Sequence, residues 1–433
     1  MRILMVSEDL PAPAMGGLAR HVLALCRALT DAGHRVDLMG NDDFPVEVAE
    51  DAMQFGGQFF PELRGQFSGW KEITLGVFMP GKRSLLARRF ARAMQHRAGD
   101  YDVIHYHGHL PNVAFYLSPA INFLQTRHDQ GSDCLIHTRF RHGEVCNDIE
   151  PKACAGCRSH HPNPLQQYLS ALAVKRFRDE VKTGFSRHKT VFVSDMLQKN
   201  LSRCFGNQGW GMTVHNFVDA SYLKNLHTHQ PTTLPTTLLR VFIAAKLYPA
   251  KGVSALLALL EPELGHRIIM DIAGDGEEEA MLRKRYANVN FHGWQSMEAT
   301  LKLAMRAHVV VVPSVCEEAC STTVLEGLLL GKTVFALQRG GTPELRIYAS
   351  RPDQLRLHAH LEDLANAVLN FTPKEDGSVS PQVPADASHA AGRLLALYSL
   401  PPGPIANQTM RGLDSWQGRS KEARHPVDQR SAS

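Results

Sequence analysis

The chain of 433 residues contains no run of about eighteen apolar residues, the length a helix needs to cross a bilayer. Its first apolar stretch, Arg2-Ile-Leu-Met-Val6, stops at Ser7-Glu8 and is too short for a signal peptide. A cytoplasmic chain is therefore expected. Neither sign of charge is in large excess: 47 basic residues against 43 acidic leave +4, which gives no reason to expect a nucleic acid partner. Cysteine is sparse, and Cys26, Cys134, Cys204, Cys316 and Cys320 are scattered too widely to form a disulfide framework. Apolar residues, at 44%, are plentiful enough for two α/β domains, each with its own core.

Strand and helix signals alternate. Residues 2–6 read as a strand, followed by a proline-rich loop, Gly16-Gly17, an amphipathic helix ending near Gly33, and a second strand over 35–39. Further strands are expected at 102–109, 135–140 and 191–194, then at 240–245, 268–273, 289–293, 309–312 and 333–337. Helices are expected at 360–369 and 392–397. This order predicts an α/β fold of two doubly wound parallel sheets. The expected division is a first domain over 1–226, a Thr- and Pro-rich linker over 227–237, and a second domain over 238–372. A returning helix within 373–400 and a disordered tail over 401–433 would follow.

Glu318 and Glu326 carry the most specific chemistry. They follow the β-branched run Val309 to Val312, which meets Pro313, and Glu326 falls inside a predicted helix over 322–330 that Gly331 would close in a left-handed cap. The start of that helix faces the loop, so the N–H groups of Thr322 and Thr323 are suited to a diphosphate. Glu318 could reach sugar hydroxyls and Glu326 ribose hydroxyls. The competing reading is a capping box, in which Thr323 and Glu326 close the helix with no ligand.

Other segments stand in a regular order around this one. Gly16 and Gly17 would let backbone N–H groups approach a phosphate or an acceptor hydroxyl. Asp102-Val-Ile-His-Tyr-His-Gly-His109 is a strand ending in histidines. Val214-His-Asn-Phe-Val-Asp219 precedes the linker, Arg240 to Val253 leaves Lys246 and Lys251 beyond a strand, and Val289-Asn-Phe-His-Gly-Trp294 ends another. Taken together, residues 1 to about 345 resemble the retaining glycosyltransferases of family 4, built on the GT-B plan of two Rossmann-like domains facing across a cleft.

The resemblance implies a nucleotide diphosphate sugar as donor and a glycan or lipid-linked hydroxyl as acceptor, in cell-surface polysaccharide or glycoconjugate synthesis. It implies that His107 contacts the donor sugar and that backbone near Trp294 lies by the nucleobase. Lys246 and Lys251 would stabilise the leaving diphosphate, with no cofactor required for catalysis. The sequence departs from the family pattern at Lys246 for arginine, Ala245 for glycine, Phe217 for glycine, and Ala319-Cys320-Ser321 for Pro-Phe-Gly. A sugar-nucleotide epimerase and a non-catalytic binding subunit are the alternatives on the same fold.

Two segments fall outside that pattern. Cys146, Cys154 and Cys157, with His160 or the adjacent His161, have the residue types and spacing of a structural zinc site, against free or redox-active thiols. Between 55 and 99, Phe55, Phe59, Phe60, Phe67, Trp70 and Phe78 precede Lys82, Arg83, Arg88, Arg89, Arg92 and Arg97. An exposed aromatic and basic surface there would rest on the inner face of the cytoplasmic membrane; the alternative is a solvated helix face.

Overall fold

A computed structural model describes residues 1–12, 16–49, 53–63, 72–75, 77–158, 163–219, 238–373 and 385–405. The expected linker, Phe67, Trp70, His160 and residues 406–433 lie outside this set. The first lobe contains β1 (Arg2–Val6), α1 (Gly17–Asp31), β2 (Arg35–Asn41), β3 (Phe59–Leu63), β4 (Ile73–Thr74), β5 (Val77–Phe78), α2 (Gly81–Arg97), β6 (Val103–His107) and β7 (Phe123–Arg127). It continues through β8 (Phe140–Arg141), β9 (Glu144–Val145), α3 (Pro151–Gly156), α4 (Pro164–Arg187), β10 (Lys189–Phe192), α5 (Asp195–Phe205) and β11 (Met212–Thr213). The second contains β12 (Leu239–Ala244), α6 (Val253–Leu260), β13 (Ile268–Ala273), α7 (Glu279–Arg285), β14 (Val289–Gly293), α8 (Met297–Arg306) and β15 (Val309–Val312). It ends with α9 (Thr322–Leu329), β16 (Thr333–Leu337), β17 (Leu355–His358) and α10 (Leu361–Leu369), after which α11 (Ala387–Tyr398) follows.

Both principal sheets are parallel throughout, in the orders β11-β10-β7-β6-β1-β2-β3 and β14-β13-β12-β15-β16-β17. The central strands read as unbroken apolar runs because helices cover both faces. Every residue of β15 is buried, as is Ile3 to Val6 of β1. Strand order reverses between β1 and β6 in one sheet and between β12 and β15 in the other. Loops leaving such neighbours diverge, opening a crevice at the carboxyl ends of the strands. The two crevices face each other.

The lobes are tied by directed polar contacts. Glu344 accepts from the amides of Asp195 and Met196 at 2.7 and 2.9 Å, capping α5 from the other lobe. Asn200 donates to Glu317 at 2.9 Å, and Asn216 to the carbonyl of Cys320 at 3.0 Å. Helix α11 returns to the first lobe, where Leu394, Leu397 and Tyr398 join the core of α1.

Three expectations need correction. Residues 135–139 form a turn, with His137 and Arg139 left-handed, Phe140 only opens the short β8, and the long strand in that place is β7. Its polar run Gln125-Thr126-Arg127 obscured it, yet all three side chains are buried with hydrogen-bond partners. Residues 401–405 are not a tail, since Ile405 is buried and Lys189 donates to the carbonyls of Leu400 and Pro401. Phe55 and Phe78 are core residues, and Arg97 stacks on Phe60 and pairs with Glu62, so these aromatics form no exposed platform.

Candidate active site

A cavity of about 730 Å³ occupies the cleft, walled by Gly16, Gly17, Arg20, His109 and Asp129 from the first lobe and by Lys246, Lys251, Glu318, Thr322 and Glu326 from the second. It also reaches Thr323 and Trp294, the latter half exposed at the rim. Of the residues expected at the donor site, all but His107 therefore share one cavity.

The second-lobe wall grows from the crevice between β12 and β15. The chain leaves β12 through Ala245 and Lys246, whose ammonium lies 2.5 Å from Asp275. It then turns at Gly252, left-handed at φ +69°, where an added Cβ would come within 2.2 Å of the Pro313 carbonyl. Only glycine lets this turn close against the loop leaving β15. That closeness sets Lys251 Nζ 2.6 Å from Glu318 Oε1, which also accepts from Ser314 Oγ at 2.6 Å. Burial opposes the charge on each partner, but their mutual attraction outweighs it: the Lys251 pKa is raised and the Glu318 pKa lowered. Glu318 is held from above by Gly340, where a Cβ would meet the Glu318 carbonyl at 2.4 Å.

Helix α9 is capped by Ser321, whose hydroxyl accepts from the Val324 amide at 3.4 Å, while Thr323 donates its hydroxyl to the Ala244 carbonyl. No capping box forms between Thr323 and Glu326. The N–H groups of Thr322 and Thr323 have no acceptor within the helix and stand at the cavity wall. Glu326, one turn in, is buried, and desolvation pushes its carboxyl up to about 7 although the Arg20 charge opposes the shift.

On the opposite wall an added Cβ at Gly16 or Gly17 would meet nothing within 4 Å, and Gly16 has an ordinary φ of −72°. Packing does not require glycine at either position; open space toward the cleft is what it preserves. Arg20 follows Gly17 by one helical turn and faces Glu326 across the cleft, with its Nε buried and without a hydrogen-bond partner among the described residues. That i, i+3 spacing was available in the sequence and would have identified Arg20. Phe217 stacks on His21 at 4.1 Å between centroids, and both line a smaller annex of about 40 Å³ beside Arg20 and Glu326. The bulk that replaces glycine at 217 thus shapes the cleft floor.

His107 does not reach the cavity. It is fully buried, 2.9 Å from His128 and 3.2 Å from His105, which in turn meets Thr126 and the Tyr398 hydroxyl. His21, His107 and His128 bring one nitrogen each within 4.8 Å of the others. Burial keeps all these imidazoles neutral, the pKa of His21 falling to about 3. His128 and His109 stand at the wall instead. His109 lies between Asp9 at 3.1 Å and Asp129 at 3.2 Å, and Asp129 also meets His137 at 3.0 Å. Desolvation opposes its charge, but the carboxylates prevail and hold its pKa well above the ordinary histidine value. Strand β6 is buried on both faces, so alternation could not indicate which histidine meets the cleft.

The sequence matches the family described as Glycosyltransferase Family 4 over residues 15–222 and that described as Glycosyl transferases group 1 over residues 239–372. The chain belongs to the family 4, group 1 glycosyltransferases. A phosphatidyl-myo-inositol mannosyltransferase of Mycolicibacterium smegmatis is 25% identical over 357 residues, covering 78% of this chain and 76% of the relative. Among solved structures, sucrose-phosphate synthase of Thermosynechococcus elongatus superposes with a TM-score of 0.57 at 15% identity, covering 97% of this glycosyltransferase and 98% of that chain. HepE of Anabaena, solved in complex with UDP, gives 0.53 at 16% identity, covering 98% and 100%. Both share the GT-B fold expected from the sequence.

Proposed function

We propose that this glycosyltransferase moves a hexose, with retention of anomeric configuration, from a nucleotide diphosphate sugar to a hydroxyl of a glycan or lipid-linked acceptor in cell-surface glycoconjugate synthesis. The observation that carries the reading is the convergence of Lys251, the start of α9 and Glu326 on one cavity, opposite Gly16, Gly17 and Arg20. The diphosphate would lie between the α9 amides, Lys251 and Lys246, with Glu326 accepting from the ribose and Glu318 from the sugar. Lys246 is half exposed and engaged with Asp275, so it exchanges one anion for another when the donor enters. The UDP-glucose complex of HepE is consistent with a donor of this class.

The side chains at the reacting end suit transfer without a protein nucleophile. Glu318 is engaged by Lys251 and Ser314, and Asp129 by His109, His137 and the Gly131 amide. The bond to the leaving diphosphate breaks as the acceptor oxygen approaches the same face of the sugar. The acceptor proton passes to the diphosphate. Lys251 and the helix amides stabilise the negative charge that develops there.

The lipid-linked alternative draws support from the first lobe. On α4, Leu165, Tyr168, Leu169 and Leu172 recur at helical spacing and are all exposed, Tyr168 to 60%. The β4–β5 hairpin packs on this helix, its tip Leu75 being 91% exposed and its carbonyl held by Gln166. On α2, Leu85, Arg88, Arg89 and Arg92 share one exposed face. No helix among the described residues is long and apolar enough to cross a membrane. This apolar and basic surface suits peripheral contact with an anionic leaflet. Replacing Arg88, Arg89 and Arg92 with glutamine is expected to weaken sedimentation with phosphatidylserine vesicles by more than tenfold, at about 1 kcal/mol per basic residue. Sedimentation equal to that of the native chain would refute the assignment.

The deciding experiment incubates the protein with UDP-, GDP- and ADP-sugars, with and without lipid extract, and measures nucleoside diphosphate release and product anomeric configuration. Acceptor-dependent release with retention is expected. Acceptor-free isomerisation, or inversion, would overturn the reading.

A further inference from the structure

The loop between β7 and α4 carries the second concentration of chemistry in the molecule. Cys134, Cys146, Cys154 and Cys157 line one small cavity of about 20 Å³, room for a single water-sized occupant, with Arg139 and Arg141 in its wall. The four come from three separate pieces of local structure. Cys134 opens a turn in which His137 and Arg139 adopt φ of +64° and +46°. Left-handed backbone is costly at non-glycine residues, and here it closes the turn that sets Cys134 in the cavity wall. The β8–β9 hairpin then brings Cys146 back, its amide 2.6 Å from the Arg139 carbonyl. Cys154 and Cys157 sit one turn apart on and just beyond α3.

Arginine surrounds these sulfurs. Arg178 Nη2 donates to Cys154 Sγ at 3.1 Å and to the Asp133 carbonyl at 3.1 Å. Arg139 is buried, and its Nη2 has no hydrogen-bond partner among the described residues. Four sulfurs around one small cavity, with a guanidinium donating to one of them, form a donor set suited to a soft divalent cation. Apolar packing does little to hold the segment: between residues 133 and 158 the buried apolar side chains are Leu135 and Ala155.

We propose that Cys134, Cys146, Cys154 and Cys157 bind one structural zinc ion as a tetrathiolate, stapling the loop that joins the cleft wall of the first lobe to the second lobe. Cys134 takes the place that the sequence had suggested for His160, which lies outside the described residues. The sulfurs ring the cavity more openly than the 4.8 Å spread of the histidine groups at the cleft. Bonds of about 2.3 Å would therefore draw them inward by side-chain rotation. Binding exchanges four thiol protons for one divalent cation and leaves a centre of charge −2, offset by Arg139, Arg141 and Arg178. The staple would position the cleft without touching substrate, since His137 holds Asp129 and Arg139 lies 3.5 Å from Glu317 of the second lobe.

The test measures zinc in full-length protein purified under reducing conditions without chelators. About one zinc per chain is expected, with cobalt substitution giving thiolate-to-metal charge-transfer absorption. Cys134→Ser and Cys154→Ser should each lower zinc affinity by at least about tenfold. Cys204→Ser and His160→Ala should leave it unchanged. Should the serine variants fail to fold, titrating the native chain with a mercurial must release zinc as the thiols are blocked. The proposal is overturned by a chain that neither carries zinc nor takes it up when reduced, by a native Cys154–Cys157 disulfide, or by loss of metal in His160→Ala with retention in Cys134→Ser.

Discussion

Lys251→Ala is expected to lower kcat by roughly 100- to 1,000-fold, the range found when a group stabilising developing negative charge is removed from a water-excluded site. Two effects act together. The ammonium that would meet the leaving diphosphate is lost, and Glu318, 2.6 Å away and largely buried, is left without its counter-charge. Breaking such a pair from one side destabilises by about 3–5 kcal/mol, so thermal stability should fall as well. Glu318→Ala should lower turnover by a similar factor with a smaller change in donor affinity. The double variant separates stability from catalysis. With neither charge buried alone, it should recover much of the lost stability while remaining as inactive as the single variants. Steady-state kinetics and thermal unfolding of the three proteins check this, and a Lys251→Ala enzyme with native kcat would remove Lys251 from the mechanism.

Glu326→Gln is expected to weaken nucleotide binding by roughly 10- to 100-fold at pH 8, where the native carboxylate accepts charged hydrogen bonds from the ribose. The effect should shrink toward pH 6. In the ligand-free chain the carboxyl titrates at about 7, and only its ionised form accepts from two hydroxyls, so native affinity rises with pH through that value while the variant stays flat. Stability runs the other way. Burial raises the folded pKa of Glu326 above its ordinary value of 4.5, so the folded chain binds this proton more tightly than the unfolded one. The contribution is fully present below about 4.5 and is lost as pH rises to about 7, at up to ~1.4 kcal/mol per pH unit. Calorimetric titration with UDP and GDP across pH 6 to 8, beside unfolding of both proteins from pH 4.5 to 8, tests both halves. Parallel pH profiles for native and variant chains would exclude Glu326 from the ribose site.

Much of the architecture is legible without coordinates because parallel strands covered on both faces must be continuous apolar runs. Val309 to Val312 followed by Pro313, and helix α9 closed by Gly331 at φ +73°, follow from local sequence alone. Residues 135–140 misled because β-branched and aromatic residues resemble a strand, whereas the chain there turns through the left-handed His137 and Arg139. The phenylalanines between 55 and 78 misled for a related reason: composition does not say which side of an element meets the core.

By itself, the order of elements and motifs determined two parallel α/β lobes and placed Lys251, Glu318 and Glu326 at strand ends and helix starts, where polar groups gather. Periodicity and capping act over a few residues, so they are written in the chain. Only the tertiary structure decided that Arg20 and His109 face the cleft while His107 lies behind it, that α4 presents an apolar stripe outward, and that Cys134 joins three distant thiols. Those outcomes depend on how lobes and loops pack across large sequence separations, and on which face of a doubly covered strand meets the crevice.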